Sequence, residues 1–134
     1  MEGLVSLKTT IRVKDFETSK MFYTTILNCK IVEEYDDNNG SRGCILRIGS
    51  EESNAFVEIS EIEPKHDCFN SSFKKDFLND KIDLQIKTNS IEYWAEKLQN
   101  LWKVRGPIDR PWGSKYLYLR DPDGLQIIIY QENK

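Results

Sequence analysis

Polar and apolar residues alternate near the start of the chain. Leu7, Thr9, Ile11 and Val13 fall on one side, and Lys8, Thr10 and Arg12 on the other. That is the pattern of a strand with one buried and one polar face. The period then lengthens. Asp15 stands where a helix N-cap belongs, and Phe16, Ser19 or Lys20, Phe22, Tyr23, Ile26 and Leu27 recur at helical spacing. Strands are predicted over 30–36, 43–48 and 55–61. The run Asp37-Asn38-Asn39-Gly40 separates the first two, since Asn and Gly tolerate positive φ, and a polar turn over 49–54 separates the others.

Residues 62–80 hold one proline, several charges and the spaced apolar residues Cys68, Phe69, Phe73 and Phe77. They read as a linker or lid with one helical turn, and a stretch of that length inside a compact domain suggests a special role. The order then repeats. Leu84, Ile86 and Thr88 alternate with Asp83, Gln85 and Lys87 over 82–88. Asn89 or Ser90 can cap a helix whose stripe is Ile91, Trp94, Ala95, Leu98 and Leu101. A short strand over 102–106 is expected to end at Gly106-Pro107. In 115–120, Tyr116, Tyr118 and Arg120 oppose Leu117 and Leu119. Asp121-Pro122-Asp123-Gly124 is a tight turn, and the nearly continuous apolar run 125–131 suggests a central strand covered on both sides.

The order is therefore β-α-β-β-β, linker, β-α-β-β-β, with Lys8 answering to Asp83, Thr10 to Gln85, Arg12 to Lys87 and Phe16 to Ile91. The fold class is α+β: two βαβββ modules, each sheet covered by a helix on one face, forming a curved mixed sheet with a cleft. One domain is expected over 1–134, with module 1 at about 4–61, the linker at about 62–80 and module 2 at about 82–131.

Composition narrows the function. With 134 residues, 39% of them hydrophobic and 31% charged, the chain suits a soluble globule. No apolar run approaches the roughly 18 residues of a membrane span. The opening Met-Glu-Gly-Leu-Val-Ser-Leu-Lys does not read as a signal peptide. A net charge of −3 with scattered Lys and Arg speaks against nucleic acid as a partner. Cys29, Cys44 and Cys68 lack CxxC spacing and read as free thiols of a cytoplasmic protein. His66 is the only histidine, which excludes a two-histidine metal triad; it is expected at the surface, while Asp121 and Asp123 are expected to shape their turn.

Three stretches carry a likeness to a known family. They are Ile11-Arg12-Val13-Lys14-Asp15-Phe16 with Ser19 and Phe22-Tyr23, the strand and helix over 83–98, and Arg110-Pro111-Trp112-Gly113 running into Tyr118-Leu119-Arg120-Asp121-Pro122-Asp123-Gly124. In these the chain resembles the vicinal oxygen chelate superfamily, which holds glyoxalase I, the bleomycin resistance proteins and the extradiol dioxygenases. The resemblance places the family's metal positions at Lys8, Glu58, Asp83 and Ile128; a register shift of two would bring in Thr10, Gln85 or Gln126. A charged Lys has no lone pair and Ile has no donor atom, so no metal and no cofactor are expected. Instead, the Lys8 ammonium is expected to stand in the metal's place and neutralise Glu58 and Asp83.

By alternation, the cleft face holds Thr10, Arg12, Phe56, Gln85, Lys87, Tyr116, Tyr118, Arg120, Gln126 and Tyr130, with Trp112 at the mouth; Lys8, Glu58 and Asp83 complete the candidate ligand-binding set. Aromatic walls with a few fixed charges suit a small, flat, partly anionic ligand, and Arg12 and Arg120 could pair with a carboxylate or phosphate. The resemblance implies a metal-free protein, similar to the bleomycin resistance proteins, that sequesters a small-molecule drug or metabolite, and a homodimer. The alternative it implies is a glyoxalase-like lyase, isomerase or transferase acting on a small oxygenated substrate with no metal or a weakly held divalent one, with Glu58 as general base and Lys8 or Arg120 as electrophilic stabiliser. A regulatory module without a ligand is the third reading.

Overall fold

The alternation at the start of the chain becomes β1 (Lys8–Val13), where Val13 is buried and Lys8 and Thr10 are exposed. The computed structural model describes residues 3–5, 7–36, 42–61 and 80–133. The chain divides into two compact units, Met1–Lys75 and Asp76–Lys134, and each repeats one order of elements.

In the first unit, β1 leads into α1 (Phe16–Met21), then β2 (Lys30–Asp36), β3 (Arg42–Ile48) and β4 (Ala55–Glu61). The sheet order is β1-β4-β3-β2, with β1 parallel to β4 and the other pairs antiparallel. The Asp15 carboxylate accepts the N–H of Thr18 at 3.0 Å, capping α1. The single helix predicted over 16–27 is not regular: α1 has six residues and passes into a π-helical turn over Phe22–Ile26. The reason lies in the pattern. Phe22 and Tyr23, then Ile26 and Leu27, are adjacent apolar pairs, all buried. A wider turn lets both members of each pair reach the sheet. A helix this short does not persist alone. Its packing on β3 and β4, whose Leu46, Val57 and Ile59 are buried, holds it, and each such side chain buried is worth about 1.5–3 kcal/mol. Cys44, whose orientation alternation leaves open, faces this core: it is fully buried and registered with Ile59.

The second unit runs β5 (Asp83–Lys87), α2 (Ile91–Leu98), β6 (Val104–Arg110), β7 (Ser114–Arg120) and β8 (Gln126–Glu132). Its order, β5-β8-β7-β6 with β5 parallel to β8, repeats the first sheet strand for strand. One device recurs in both. Glu61 Oε2 accepts the N–H of Phe16 at 2.8 Å, and Gln131 Oε1 accepts the N–H of Ile91 at 2.7 Å. The last strand of each unit thus satisfies an orphan donor at the start of its helix. Ser90 occupies the cap position of α2, but its side chain makes no capping bond. As the apolar run suggests, β8 is central, with Ile127, Ile128 and Ile129 all buried.

The α+β class and the two βαβββ modules are those expected, the mixed sheet being present as two four-stranded sheets. Three further details differ. β6 does not stop at Gly106-Pro107 but runs through it to Arg110, with a register shift between Arg105 and Ile108. β6 is an edge strand, where a residue lacking an N–H is tolerated and a bulge absorbs it. Leu101 is off the buried stripe and 53% exposed, because α2 ends at Leu98. Leu7 precedes β1 and is exposed. His66, Cys68, the linker phenylalanines and the predicted 37–40 turn lie outside the described residues. Among the described residues, no helix is long and apolar enough to cross a membrane.

Candidate functional site

Each sheet has an open face opposite its helix, and nearly all the candidate residues lie on these two faces. On the first, β1 and β4 set Lys8 beside Phe56 and Thr10 beside Glu58. Glu58 is the hub. Its Oε1 lies 2.8 Å from Lys8 Nζ, and Thr10 Oγ1 stands 3.5 Å off, at the outer limit of a hydrogen bond. Its Oε2 accepts the Tyr35 phenol at 2.5 Å. Gly43 lets Tyr35 cross: a Cβ there would sit 2.7 Å from Tyr35 Oη and 2.3 Å from the Ile59 carbonyl oxygen. Burial pushes the Glu58 carboxyl up, but the hydrogen bonds from Lys8 and Tyr35 and the charges of Lys8 and Arg12 outweigh it. The carboxyl is held below its ordinary value. Burial first, then the bond to Glu58, pushes the Tyr35 phenol up, so it remains the donor. The Arg47 guanidinium lies over the Phe56 ring, Cζ to centroid 5.3 Å.

The second face is aromatic. The ring centroid of Tyr116 is 5.5 Å from Trp112, 5.8 Å from Tyr118 and 5.9 Å from Tyr130, in edge-on and tilted arrangements that suit the ring quadrupoles. Tyr116 Oη donates to Gln85 Oε1 at 3.3 Å. Two guanidinium groups cap this run: Arg105 Cζ is 4.3 Å from the Tyr118 centroid, and Arg110 Cζ is 4.8 Å from that of Trp112. Ile128, registered with Tyr118, is only 3% exposed although it lies on the open face.

The structure thus gathers Lys8, Thr10, Phe56 and Glu58 on one face, with Arg12 on the same side of β1, and Gln85, Trp112, Tyr116, Tyr118 and Tyr130 on the other. Arg120 is engaged elsewhere: its Nη1 donates to the Gly124 carbonyl at 2.8 Å and to Asp80 Oδ1 at 2.6 Å. The turn beyond it is shaped by Asp121, whose buried carboxylate accepts the N–H groups of Asp123 and Leu125, both at 2.9 Å. Asp83 Oδ1 accepts Gln126 Nε2 at 3.0 Å, and Lys87 pairs with Glu132 at 2.6 Å.

Tyr35, Gly43, Arg47, Arg105 and Arg110 are absent from the sequence-derived set. A glycine inside a strand often marks a close approach, and Gly43 was that signal for Tyr35. Arg105 was hidden because Gly106-Pro107 reads as a strand end.

The positions where the family resemblance puts metal ligands do not suit a metal. Lys8 offers an ammonium already paired with Glu58, and Ile128 offers buried hydrocarbon. The two carboxylates left, Glu58 and Asp83, are both hydrogen-bonded within their own sheets. Among the described residues, no three His, Cys, Asp or Glu side chains gather as a metal centre needs.

Comparison with known proteins bears on the same scaffold. The family model of the Glyoxalase/Bleomycin resistance protein/Dioxygenase superfamily matches residues 6–129. Among solved structures, TnmS3, an antibiotic binding protein from Streptomyces sp. CB03234, superimposes with a TM-score of 0.74 at 18% identity, covering 99% of each chain. A glyoxylase/bleomycin resistance protein/dioxygenase domain from Frankia sp. EAN1pec gives 0.72 at 15% identity, again over 99% of each chain. The fosfomycin resistance protein FosX from Listeria monocytogenes, in the crystal form at pH 5.75, gives 0.64 at 17% identity, covering 96% of this chain and 90% of its own. At such identities the likenesses establish the fold. A search of the curated proteins finds no match.

Proposed function

Because the chain belongs to the glyoxalase/bleomycin resistance protein/dioxygenase superfamily, we propose that it is a metal-free binding protein for a small drug or metabolite, held on the open faces of its sheets. The observation that carries this reading is the Lys8–Glu58 pair: a cation of the protein's own occupies Glu58, and the aromatic second face supplies contact area without any reactive group. Phe56, Gln85, Trp112, Tyr116, Tyr118 and Tyr130 are the ligand-facing side chains in this reading. Sequestration needs complementarity alone. The antibiotic binding protein TnmS3, on the same fold, fits such a role. A lyase or isomerase using Glu58 as base has less support, since a carboxyl held below its ordinary value is a weak proton acceptor.

Thermal shift with Mn²⁺, Ni²⁺, Zn²⁺ and Mg²⁺ tests the reading. No stabilisation at sub-millimolar metal is expected, because a ligand raises the unfolding midpoint only if it binds the folded chain. A rise that disappears in Glu58→Ala would turn the assignment toward a metal-assisted enzyme. We also read the chain as one domain of two modules joined over 62–80, cytoplasmic and homodimeric. The buried thiols Cys29 and Cys44, pushed up by burial to about 12 and about 11, suit a reducing compartment. Light scattering on a sizing column would return a monomer mass if the dimer is wrong.

A further inference from the structure

Among the described residues, two cations on the second sheet meet no anion. Arg105 and Arg110 lie on β6 and share the open face with their cross-strand partners, Arg105 registered with Tyr118 and Arg110 with Ser114. Other cations of this sheet are paired: Lys87 with Glu132 and Arg120 with Asp80, both at 2.6 Å. Arg105 and Arg110 have no carboxylate partner among the described residues and rest on rings instead, at 4.3 Å from Tyr118 and 4.8 Å from Trp112. Arg110 also has a buried Nε with no hydrogen-bond partner among the described residues. The inner Nε is closed off, so the outward Nη groups are the donors that solvent or a ligand can reach.

We propose that the open face of the second sheet selects planar aromatic anions. The ring lies against the Trp112–Tyr116–Tyr118 run, and its carboxylate or similar oxyanion takes the outward N–H edge of Arg105 or Arg110. This rests on the binding reading above and adds to it the charge of the ligand and the residues that read that charge. A guanidinium whose carbon rests over a ring face leaves donors free at its outer edge, in the fork that fits a carboxylate. The ring contact also restricts the side chain beforehand, so less freedom is lost when the anion arrives. The register places the two arginines four residues apart along β7, about 13 Å at strand rise. A small acid therefore meets one guanidinium at a time, and the pair stands at either end of the aromatic run. The sequence alone points to Arg12 and Arg120 for this task, but the Arg120 guanidinium is held by Asp80 and Gly124, and β6 supplies the charge in its place.

The test uses the whole chain and three probes with one ring system: naphthoate, naphthalenemethanol and naphthylmethylammonium, measured by equilibrium dialysis. Naphthoate is expected to bind about tenfold tighter than the ammonium, the size of one charge-assisted hydrogen bond. That preference is expected to shrink between about 50 mM and about 500 mM NaCl, while the alcohol's affinity holds. Joint Arg105→Gln and Arg110→Gln substitution is expected to bring naphthoate down to the alcohol's affinity and leave the alcohol unchanged. Equal binding of all three probes overturns the inference and leaves the binding reading standing, as does an anion preference that survives the double substitution. Binding by none of them removes the aromatic wall as a binding surface, and the reading beneath the inference falls with it. If the double variant does not fold, the salt series on the native chain decides by itself.

Discussion

The two open faces use one ladder and opposite chemistry. Registered pair for pair, Glu58 of the first sheet answers to Ile128 of the second, Gly43 to Tyr116, and Tyr35 to Ile108. In the first sheet a carboxylate sits in the middle of the face, and three features serve it: Lys8 supplies charge, Tyr35 a donor, and Gly43 the room for Tyr35 to cross. In the second sheet the middle position is hydrocarbon, and rings flank it. Tyr116 fills with its own side chain the space that Gly43 leaves empty, and its neighbours are Trp112, Tyr118 and Tyr130. A duplicated backbone thus preserves strand order and register while the central residue dictates what its neighbours must be. A buried carboxylate needs partners for its lone pairs; a buried isoleucine needs only cover.

The largest expected effect comes from erasing that difference at its tightest point. Gly43→Ala places a Cβ 2.3 Å from a backbone oxygen and 2.7 Å from the Tyr35 hydroxyl. Strand and ring cannot both keep their places, so unfolding free energy should fall by about 3 kcal/mol, the upper range of overpacking. Denaturant titration measures it; an unchanged midpoint would mean that Gly43 is not what lets Tyr35 cross. The converse substitution on the other sheet is Tyr116→Ala. It removes one ring from three contacts and uncovers the middle of the face, and a loss of about 2 kcal/mol is expected. Tyr116→Phe should cost little, because the bond to Gln85 is long at 3.3 Å.

How much of this was legible beforehand follows from which forces are local. Alternation marked the strands and placed Thr10, Phe56, Tyr116 and Tyr118 on open faces, since side-chain direction in a strand depends only on the count of residues; Glu58 came from the family resemblance. The duplicated order followed from the same counting. What counting misses is anything that changes the count. The bulge between Ile31 and Glu33 separates Tyr35 from the alternation of its strand, and the shift between Arg105 and Ile108 lets β6 continue through Pro107. Both lie in edge strands, where pairing on one side only tolerates an extra residue. Partner choice is equally non-local. Alternation puts Arg120 on the same side of its strand as Tyr116 and Tyr118, but does not reveal that Asp80 and the Gly124 carbonyl claim it.

A smaller effect separates the two faces by pH. Glu58 is held below its ordinary value of 4.5 in the folded chain, so its contribution is complete above that value and is lost as pH falls through the lowered one. Tyr35, raised above its ordinary value of 10.0, adds stability that is present at lower pH and lost as pH rises beyond that value. Glu58→Gln should cost about 1 kcal/mol at neutral pH, the net worth of a hydrogen bond. It should also flatten the acid limb: native and variant midpoints converge as the pH drops below 4.5. A constant gap down to strongly acid pH would remove Glu58 as the group that titrates. The second face, with Ile128 in the equivalent place, contributes nothing to that limb from this position.

The smallest effect is expected where the chemistry looks most alike. Lys87 and Glu132 form an ion pair at 2.6 Å, shorter than Lys8–Glu58 at 2.8 Å. Distance alone would rank it higher. Exposure reverses the order, because the Lys87 and Glu132 side chains are 61% and 54% exposed whereas Glu58 is 16% exposed. Water and salt screen the first pair, and holding two long side chains in one geometry offsets most of what attraction remains. Lys87→Gln should therefore leave the unfolding midpoint where it is, at low and at high salt alike. A drop comparable to that of Glu58→Gln would mean that solvent does not reach this rim of the second sheet, and that the contrast between a served carboxylate on one face and a screened pair on the other is drawn in the wrong place.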